Sequence, residues 1–417
     1  MTGPCGQPLP PVEGSVLEPV PLAPGNLRAQ AAHLRGLGPV VPVVLPGDVT
    51  AWAAVSHAAV TEALAHPGVQ KDKKHWRAFN AGQVPSDWPL ISWIIAENML
   101  TSDGDEHTRL RKLVSKAFTP RRVEHLRSGV IGIVEDLLDG LAAEAERTGG
   151  VVDLKPHFSQ PLPVTVISDL FGVSDRDRGE LHRLVSVFFD QSITPEAAMA
   201  TFFELWTLLT GLVAAKRAEP GDDLTSALIA ARDEEDRLSE DELIWSLILI
   251  ISAGYETTMN LITNAVRALL VHRDQLELLT SGKVEWSTAV EEVLRWDGPG
   301  GFVPMRYTTE EVELAGTRIP AGEPLLLGYT SAGHDSGHHG DTVDRFDITR
   351  EDTSHLGFSR GRHYCLGANL ARMEVNEALP RLFGRFPGLD LAVPAEELPQ
   401  LPSIIVSGVE SLPVRLG

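Results

Sequence analysis

Residues 355–371 read HLGFSRGRHYCLGANLA and contain Cys365, one of the two cysteines in the chain. The first half of this stretch is rich in glycine, which allows positive φ and lets the backbone approach a neighbouring group closely. The second half predicts a helix over Leu366 to Phe383. Backbone N–H groups at the start of that helix lack intrahelical partners, so we expect them to hydrogen-bond a thiolate and lower the pKa of Cys365.

Three roles for Cys365 follow from the residues alone. With His363 as a general base, its thiolate could act as a nucleophile. It could instead ligate a metal. Clusters that need several thiolates are excluded because Cys5 is the only other cysteine, whereas haem iron needs a single axial protein ligand. An inert buried cysteine is the third role and the commoner fate of a lone cysteine. The loop by itself leaves these roles open.

The loop also resembles the haem-binding loop of the cytochrome P450 family. The shared pattern is Phe, two residues, Gly, three residues, Cys, one residue, Gly. Its members here are Phe358, Gly361, His363, Cys365 and Gly367. The family usually has Gly at the position of Ser359 and a small or hydrophobic residue at the position of Arg362, which concerns local packing and leaves the ligand in place. The resemblance implies haem b held by the thiolate of Cys365.

Length and composition limit the number of domains and the classes of function that the chain could have. A chain of 417 residues could hold two or three domains. No linker divides it, so we expect an extended proline-rich segment over residues 1–25 and a single domain over residues 26–417. A net charge of −21 argues against nucleic-acid binding. The scarcity of cysteine fits the cytoplasm.

A membrane anchor is not expected. The chain shows no signal peptide, and its longest apolar run, Leu243 to Ala253, is about half of the ~20 residues that span a bilayer. Within the resembled family this points to a soluble bacterial protein, and we expect a monomer.

A basic segment follows residue 106. His107 and Arg111 are four residues apart on a predicted helix and share a face. Seven Lys or Arg residues stand against one acid between His107 and Arg127, which by itself indicates a solvated basic face. The resemblance implies that His107, Arg111, Arg306 and His363 hold the haem propionates. It also implies that the other basic residues lie where an electron-donor protein docks.

A long apolar helix is predicted from the capping box at Ser239 and Glu242 to about His272, a length of roughly 45–50 Å. A helix so apolar should cross the middle of the protein. Gly in a helix interior costs about 1 kcal/mol, and a buried acid or hydroxyl needs a partner, so the misfits near its centre suggest a site. These misfits lie in the run Ala253, Gly254, Tyr255, Glu256 and Thr257.

Two interpretations of that run are open from the residues. The helix could be kinked there, with a hydroxyl bonded back to the backbone. The run also matches the oxygen-activation motif of the resembled family. The resemblance implies that Ala253 and Gly254 leave room for dioxygen and that Thr257 and Glu256 deliver protons.

Other residues are assigned by the same resemblance. Glu292 and Arg295 form a helical pair at i and i+3, and Arg345 is the expected third member of a buried structural triad. The residues expected to line the substrate pocket are Trp93, Phe302, Val303 and Ile404.

The resemblance implies a mainly α fold with a small β-rich part, shaped as a triangular prism around the long central helix. It implies a haem-thiolate monooxygenase that hydroxylates a fairly large apolar natural product, macrolide or steroid. Dioxygen would be the co-substrate, and electrons would come from ferredoxin and ferredoxin reductase. One alternative is oxidative radical coupling or ring formation. The other is a haem-binding or sensor protein without turnover, which would have no use for the proton-delivering pair Glu256 and Thr257.

Overall fold

The structure is a computed structural model and describes residues 18–115, 118–186, 193–233 and 239–417. As predicted, helices dominate. The helices are α1 Leu27–Leu37, α2 His57–Ala65, α3 Arg77–Asn80, α4 Ile91–Ile95, α5 Gly104–Ser115, α6 Pro120–Thr148, α7 Pro161–Phe171, α8 Asp175–Ser186, α9 Pro195–Ala218, α10 Leu224–Asp233, α11 Glu240–Val271, α12 Arg273–Thr280, α13 Trp286–Trp296, α14 Tyr329–Gly333, α15 Ser336–His339 and α16 Ala368–Arg385.

The strands form a small β-rich part beside the helices. The strands are β1 Val20–Pro21, β2 Val40–Leu45, β3 Val49–Ala54, β4 Val69–Gln70, β5 Val151–Asp153, β6 Phe302–Thr308, β7 Val312–Leu314, β8 Thr317–Ile319, β9 Pro324–Gly328, β10 Asp390–Leu391 and β11 Pro413–Arg415. The largest sheet has the order β1-β2-β3-β9-β6-β4. Gly47 and Asp48 take the positive φ values that the turn between β2 and β3 requires.

Helix α11 passes through the interior. The Ser239 hydroxyl accepts from the Glu242 N–H at 3.1 Å, and the Glu242 carboxylate accepts from the Ser239 N–H at 2.6 Å. Most of the helix beyond Leu243 is buried because apolar residues occur on every side of it. It packs against α7, α13 and α16. The predicted central helix and its capping box are therefore confirmed.

Helix α9 contains the aromatic residues Phe202, Phe203 and Trp206. Its segment Glu196–Ala218 is long and apolar enough, by length and composition alone, to cross a membrane. It packs against α8, α10 and α11. A core helix of a soluble protein satisfies the same two criteria, so this single helix is weak support for a membrane span.

The predicted extended segment over residues 1–25 lies mostly outside the described residues. Its described end is ordered: Val20–Pro21 pairs in parallel with β2, and Leu22 is buried. We propose that the domain predicted over residues 26–417 begins at this strand.

Candidate functional site

A cavity with a volume of about 280 Å³ separates the middle of α11 from the cysteine loop. Its wall is mainly apolar and includes Cys365 on one side and Ala253, Gly254 and Thr257 on the other. A larger groove of about 1000 Å³, between α8 and α9, is open to solvent and contains none of the predicted site residues. The fold thus brings the two main sequence motifs to the wall of one cavity.

Cys365 is positioned by backbone contacts. Its N–H donates to the carbonyl of Phe358 at 2.9 Å, which closes the loop. Burial raises the pKa of the thiol, and this outweighs the opposing effects of the Gly367 N–H and of Arg111. The predicted backbone N–H groups at the start of α16 do act to lower the pKa of Cys365, but burial has the larger effect. A metal would still deprotonate it on binding.

The loop turns where two residues have left-handed backbone. Gly361 has φ +73° and Ser359 has φ +61°. This geometry explains why the resembled family usually has glycine at the position of Ser359, since a side chain there costs roughly 1–2 kcal/mol. The Ser359 hydroxyl accepts a hydrogen bond from the Tyr329 hydroxyl at 3.0 Å, which partly compensates.

One end of the cavity is lined by basic side chains. The ring centroids of His107 and His363 lie 4.3 Å apart. The Nε2 atom of His107 is buried without a hydrogen-bond partner among the described residues, and that of His363 lies 3.7 Å from the Asp103 carboxylate. Arg306 is buried beside them, and burial lowers its pKa. Arg111 also lines the cavity, with its guanidinium donating to the Tyr364 carbonyl at 2.6 Å. The four residues predicted to hold propionates therefore lie near one another.

Two titratable residues in the cavity wall have no signal in the sequence. Lys71 belongs to the charged run 71–74, which reads as solvated, yet it is buried. Burial first, and then Arg306, lower the pKa of Lys71 to about 7. Glu374 occupies an ordinary position on α16, and burial raises its pKa to about 8.

These observations fit a planar dianionic cofactor with a central metal. The buried imidazole groups, together with Lys71 and Arg306, would donate hydrogen bonds to two carboxylates. An anion bound at this end would also raise the pKa of Lys71 and so favour its charged form. The Cys365 sulfur would bind the iron, and the apolar walls would surround the cofactor. The residues present therefore suit haem.

The hydroxyl of Thr257 faces the cavity and donates to the Ala253 carbonyl at 2.6 Å. This is the hydrogen bond from a side-chain hydroxyl to the backbone that the sequence left open as one interpretation. Helix α11 nevertheless continues as α-helix through these residues. Gly254 has a packing role in addition, because a Cβ there would lie 2.8 Å from Cδ1 of Ile167. Its small size therefore serves the contact with α7 as well as the open space.

Glu256 faces away from the cavity. Its Oε1 accepts from the Asn260 amide at 2.9 Å. Burial raises its pKa, although Lys155 and Asn260 act in the other direction. Lys155 is itself buried and donates to the Val409 carbonyl at 2.7 Å. The acid predicted to relay protons is therefore a buried carboxyl beside a buried lysine.

The predicted pocket residues are only partly correct. Val303 lines the cavity. Phe302 and Ile404 are fully buried in the hydrophobic cluster around the large sheet, because their side chains fall on its packed face. Trp93 packs against the same cluster and borders a small void beside Lys71. These three residues do not line the cavity at Cys365.

The predicted structural triad also needs a correction. Arg295 donates to the Glu292 carboxylate at 2.7 and 2.6 Å, and both residues are fully buried. Arg345 is exposed and contributes its carbonyl, which accepts from Arg295 at 2.9 Å. The second guanidinium near Glu292 belongs to Arg350, with Nε 3.7 Å from Oε2. The conformation of the chain after α15 places the side chain of Arg350, and not that of Arg345, beside Glu292.

Comparisons with known proteins agree with this site. The family model described as Cytochrome P450 matches residues 287–398. The chain is 42% identical to the 2-hydroxy-5-methyl-1-naphthoate 7-hydroxylase of Streptomyces carzinostaticus, over 94% of this chain and 95% of that protein. It is 41% identical to the vitamin D(3) 25-hydroxylase of Pseudonocardia autotrophica, over 94% of each.

A solved structure shares the whole architecture. The testerone-bound CYP154C4 of Streptomyces sp. ATCC 11861 is 42% identical, with a TM-score of 0.93 over 96% of this chain and 99% of that one. The identities, their coverage and the cysteine-facing cavity agree. The chain belongs to the cytochrome P450 family and is a haem-thiolate monooxygenase.

Proposed function

We propose that this monooxygenase hydroxylates a fairly large apolar natural product of the macrolide or steroid class. The observation that carries the proposal is the mainly apolar wall of the cavity between Thr257 and Cys365. An apolar wall binds hydrocarbon surface by excluding water. The relatives named for a naphthoate and for vitamin D(3) support a substrate of this kind.

The chain's own residues bind the substrate, exclude water and move protons. When bound, haem supplies the activation of dioxygen; the protein orients the reaction around it. We propose that the Thr257 hydroxyl holds a proton donor at the cavity wall. We also propose that Glu256, whose carboxyl faces away from the cavity, passes protons to it after a change of side-chain rotamer. The raised pKa of Glu256 supports this, because a carboxyl that keeps its proton nearer to neutral pH can act as a donor.

We propose that electrons come from a ferredoxin and its reductase in the cytoplasm. The support is the basic segment over α5 and the start of α6, where Arg121 and Arg122 are exposed. Not every predicted cation is available there, since Arg109 pairs with Glu106 and Glu242, and Arg127 pairs with Glu124 and Glu377. An acidic donor protein would be steered to the remaining positive charge.

The proposal is tested by adding candidate macrolides, steroids and aromatic polyketides to the haem-loaded protein. A substrate should displace iron-bound water and shift the absorption spectrum, and its turnover product should gain one oxygen by mass. A product that has lost two hydrogens would instead indicate oxidative coupling. The absence of a spectral shift and of NAD(P)H consumption with every donor would contradict the proposal and favour a non-catalytic haem protein.

Replacing Thr257 by Ala should uncouple the reaction. Without the hydroxyl, the proton donor is no longer held at the cavity wall. We therefore expect the product formed per NAD(P)H consumed to fall by up to about 10²-fold and the peroxide formed to rise. The measurement compares product, peroxide and NAD(P)H consumed. Thr257→Ser is the matched control and should retain most of the coupling. Unchanged coupling in the Ala variant would remove Thr257 from the mechanism.

Replacing Arg306 by Leu or Lys71 by Met should speed the loss of haem. Each change deletes a buried cation from the end of the cavity that would hold the cofactor carboxylates. Transfer of haem to an excess of apomyoglobin gives the dissociation rate, and we expect it to rise by roughly tenfold or more. Arg122→Leu, which changes an exposed cation on α6, is the control. Unchanged rates in both cavity variants would contradict the proposed carboxylate site.

A further inference from the structure

A cluster of histidines lies outside the haem cavity, on the chain that leads into the cysteine loop. His338 and His339 end α15, and Asp352 precedes the loop that begins at His355. One ligand atom from each of His338, His339 and Asp352 lies within 4.8 Å of the other two. His338 and His339 are adjacent in the sequence, and folding brings the carboxylate of Asp352 to them.

His339 is the residue that points to a ligand. It is buried, with only 8% of its surface exposed, yet neither of its ring nitrogens has a hydrogen-bond partner among the described residues. Buried polar atoms are nearly always paired, so two orphaned nitrogens on one imidazole need an explanation. A metal ion bound to one of them would give that nitrogen a partner.

The other two ligands are accessible and already oriented. His338 Nε2 lies 3.9 Å from Asp352 Oδ2 and 3.2 Å from the Ser354 hydroxyl. The Ser354 N–H donates to the other Asp352 oxygen at 2.9 Å, which fixes the carboxylate. The ring of His57 stacks on that of His338 at 3.4 Å, with the planes 6° apart. Donors held by such partners bind metals more tightly.

We propose that His338, His339 and Asp352 bind one divalent transition-metal ion of the zinc class. Two imidazole nitrogens and a carboxylate oxygen are ligands that Zn²⁺ accepts in three-ligand sites with water in the fourth position. Ligand atoms around zinc are about 3.3 Å apart, so the exposed His338 and Asp352 side chains need to move inward only slightly. The ion would tie α15 to residues 351–354, directly before the cysteine loop.

The test measures zinc in the haem-loaded enzyme, freed of any affinity tag. Loosely bound metal is removed with EDTA, the protein is equilibrated with zinc chloride, and zinc and iron are measured together by mass spectrometry. We expect about one tightly bound zinc per haem iron. His338→Ala and Asp352→Asn change exposed side chains, so folding should persist, and zinc affinity should fall by roughly tenfold or more. His339→Gln should do the same.

His33→Ala removes an exposed histidine on α1 and is the matched control, with zinc binding unchanged. Haem content and the reduced carbonyl spectrum report whether each variant is folded. Equal zinc binding by the parent, His338→Ala and Asp352→Asn would place zinc on other surface groups and overturn the proposal. Failure of the parent to retain zinc would overturn it as well. Because the readout is metal content, neither result depends on the proposed substrate.

Discussion

Replacing Cys365 by Ser is expected to abolish both the spectrum of a thiolate-ligated iron and substrate hydroxylation. A serine hydroxyl keeps the shape of the loop but does not supply the thiolate, whose electron donation favours O–O cleavage. The measurement is the absorption spectrum of the reduced carbonyl complex, together with product formation under conditions in which the parent enzyme is active.

Cys5→Ser provides the matched control within the same chain. Cys5 lies outside the described residues and is the only other sulfur that could act as a thiolate. The control should keep the thiolate spectrum and the activity of the parent. A thiolate spectrum in Cys365→Ser would mean that another group holds the iron, and the assignment of the cavity would then be wrong.

Replacing Arg295 by Leu should lower the free energy of unfolding by about 3–5 kcal/mol, because breaking a buried ion pair leaves an uncompensated charge. Arg295 is fully buried and contacts the Glu292 carboxylate. It also donates to the carbonyls of Gly333 and Val343 at 2.7 and 2.8 Å. One side chain therefore joins α13, the end of α14 and the segment before the cysteine loop. Urea unfolding of the haem-loaded enzyme gives the measurement.

Arg147→Ala is the control for the loss of an arginine. Arg147 also pairs with a glutamate three residues away, Glu144, but it is exposed, so solvent screens the pair and stability should change little. The double change of Glu292 and Arg295 to Leu should recover only part of the loss, since it removes the unpaired Glu292 carboxylate but leaves the largely buried Arg350 without that partner. Equal stability of Arg295→Leu and the parent would contradict the structural role of the pair.

Arg350 shows where the prediction from the sequence and the structure differ. The resemblance selected Arg345 because it stands in the expected tripeptide Asp344 to Phe346, but a match in spacing says nothing about which side chain turns inward. In the structure Arg345 is exposed and Arg350 approaches Glu292. The same reason explains Phe302 and Ile404, which lie at the right positions along the chain but on the packed side of the sheet.

The sequence by itself determined the features that depend on neighbours along the chain. The capping box with its apolar run predicted α11, because hydrogen bonds and periodicity within one segment decide such elements. The ligand role of Cys365 was implied by the resemblance of its loop to the haem-binding loop of the family. Only the tertiary structure decided which distant groups meet. Lys71 beside Arg306, Lys155 beside Glu256, and Asp352 beside His339 come from different segments. Their burial and pKa values follow from packing between those segments, which no local pattern contains.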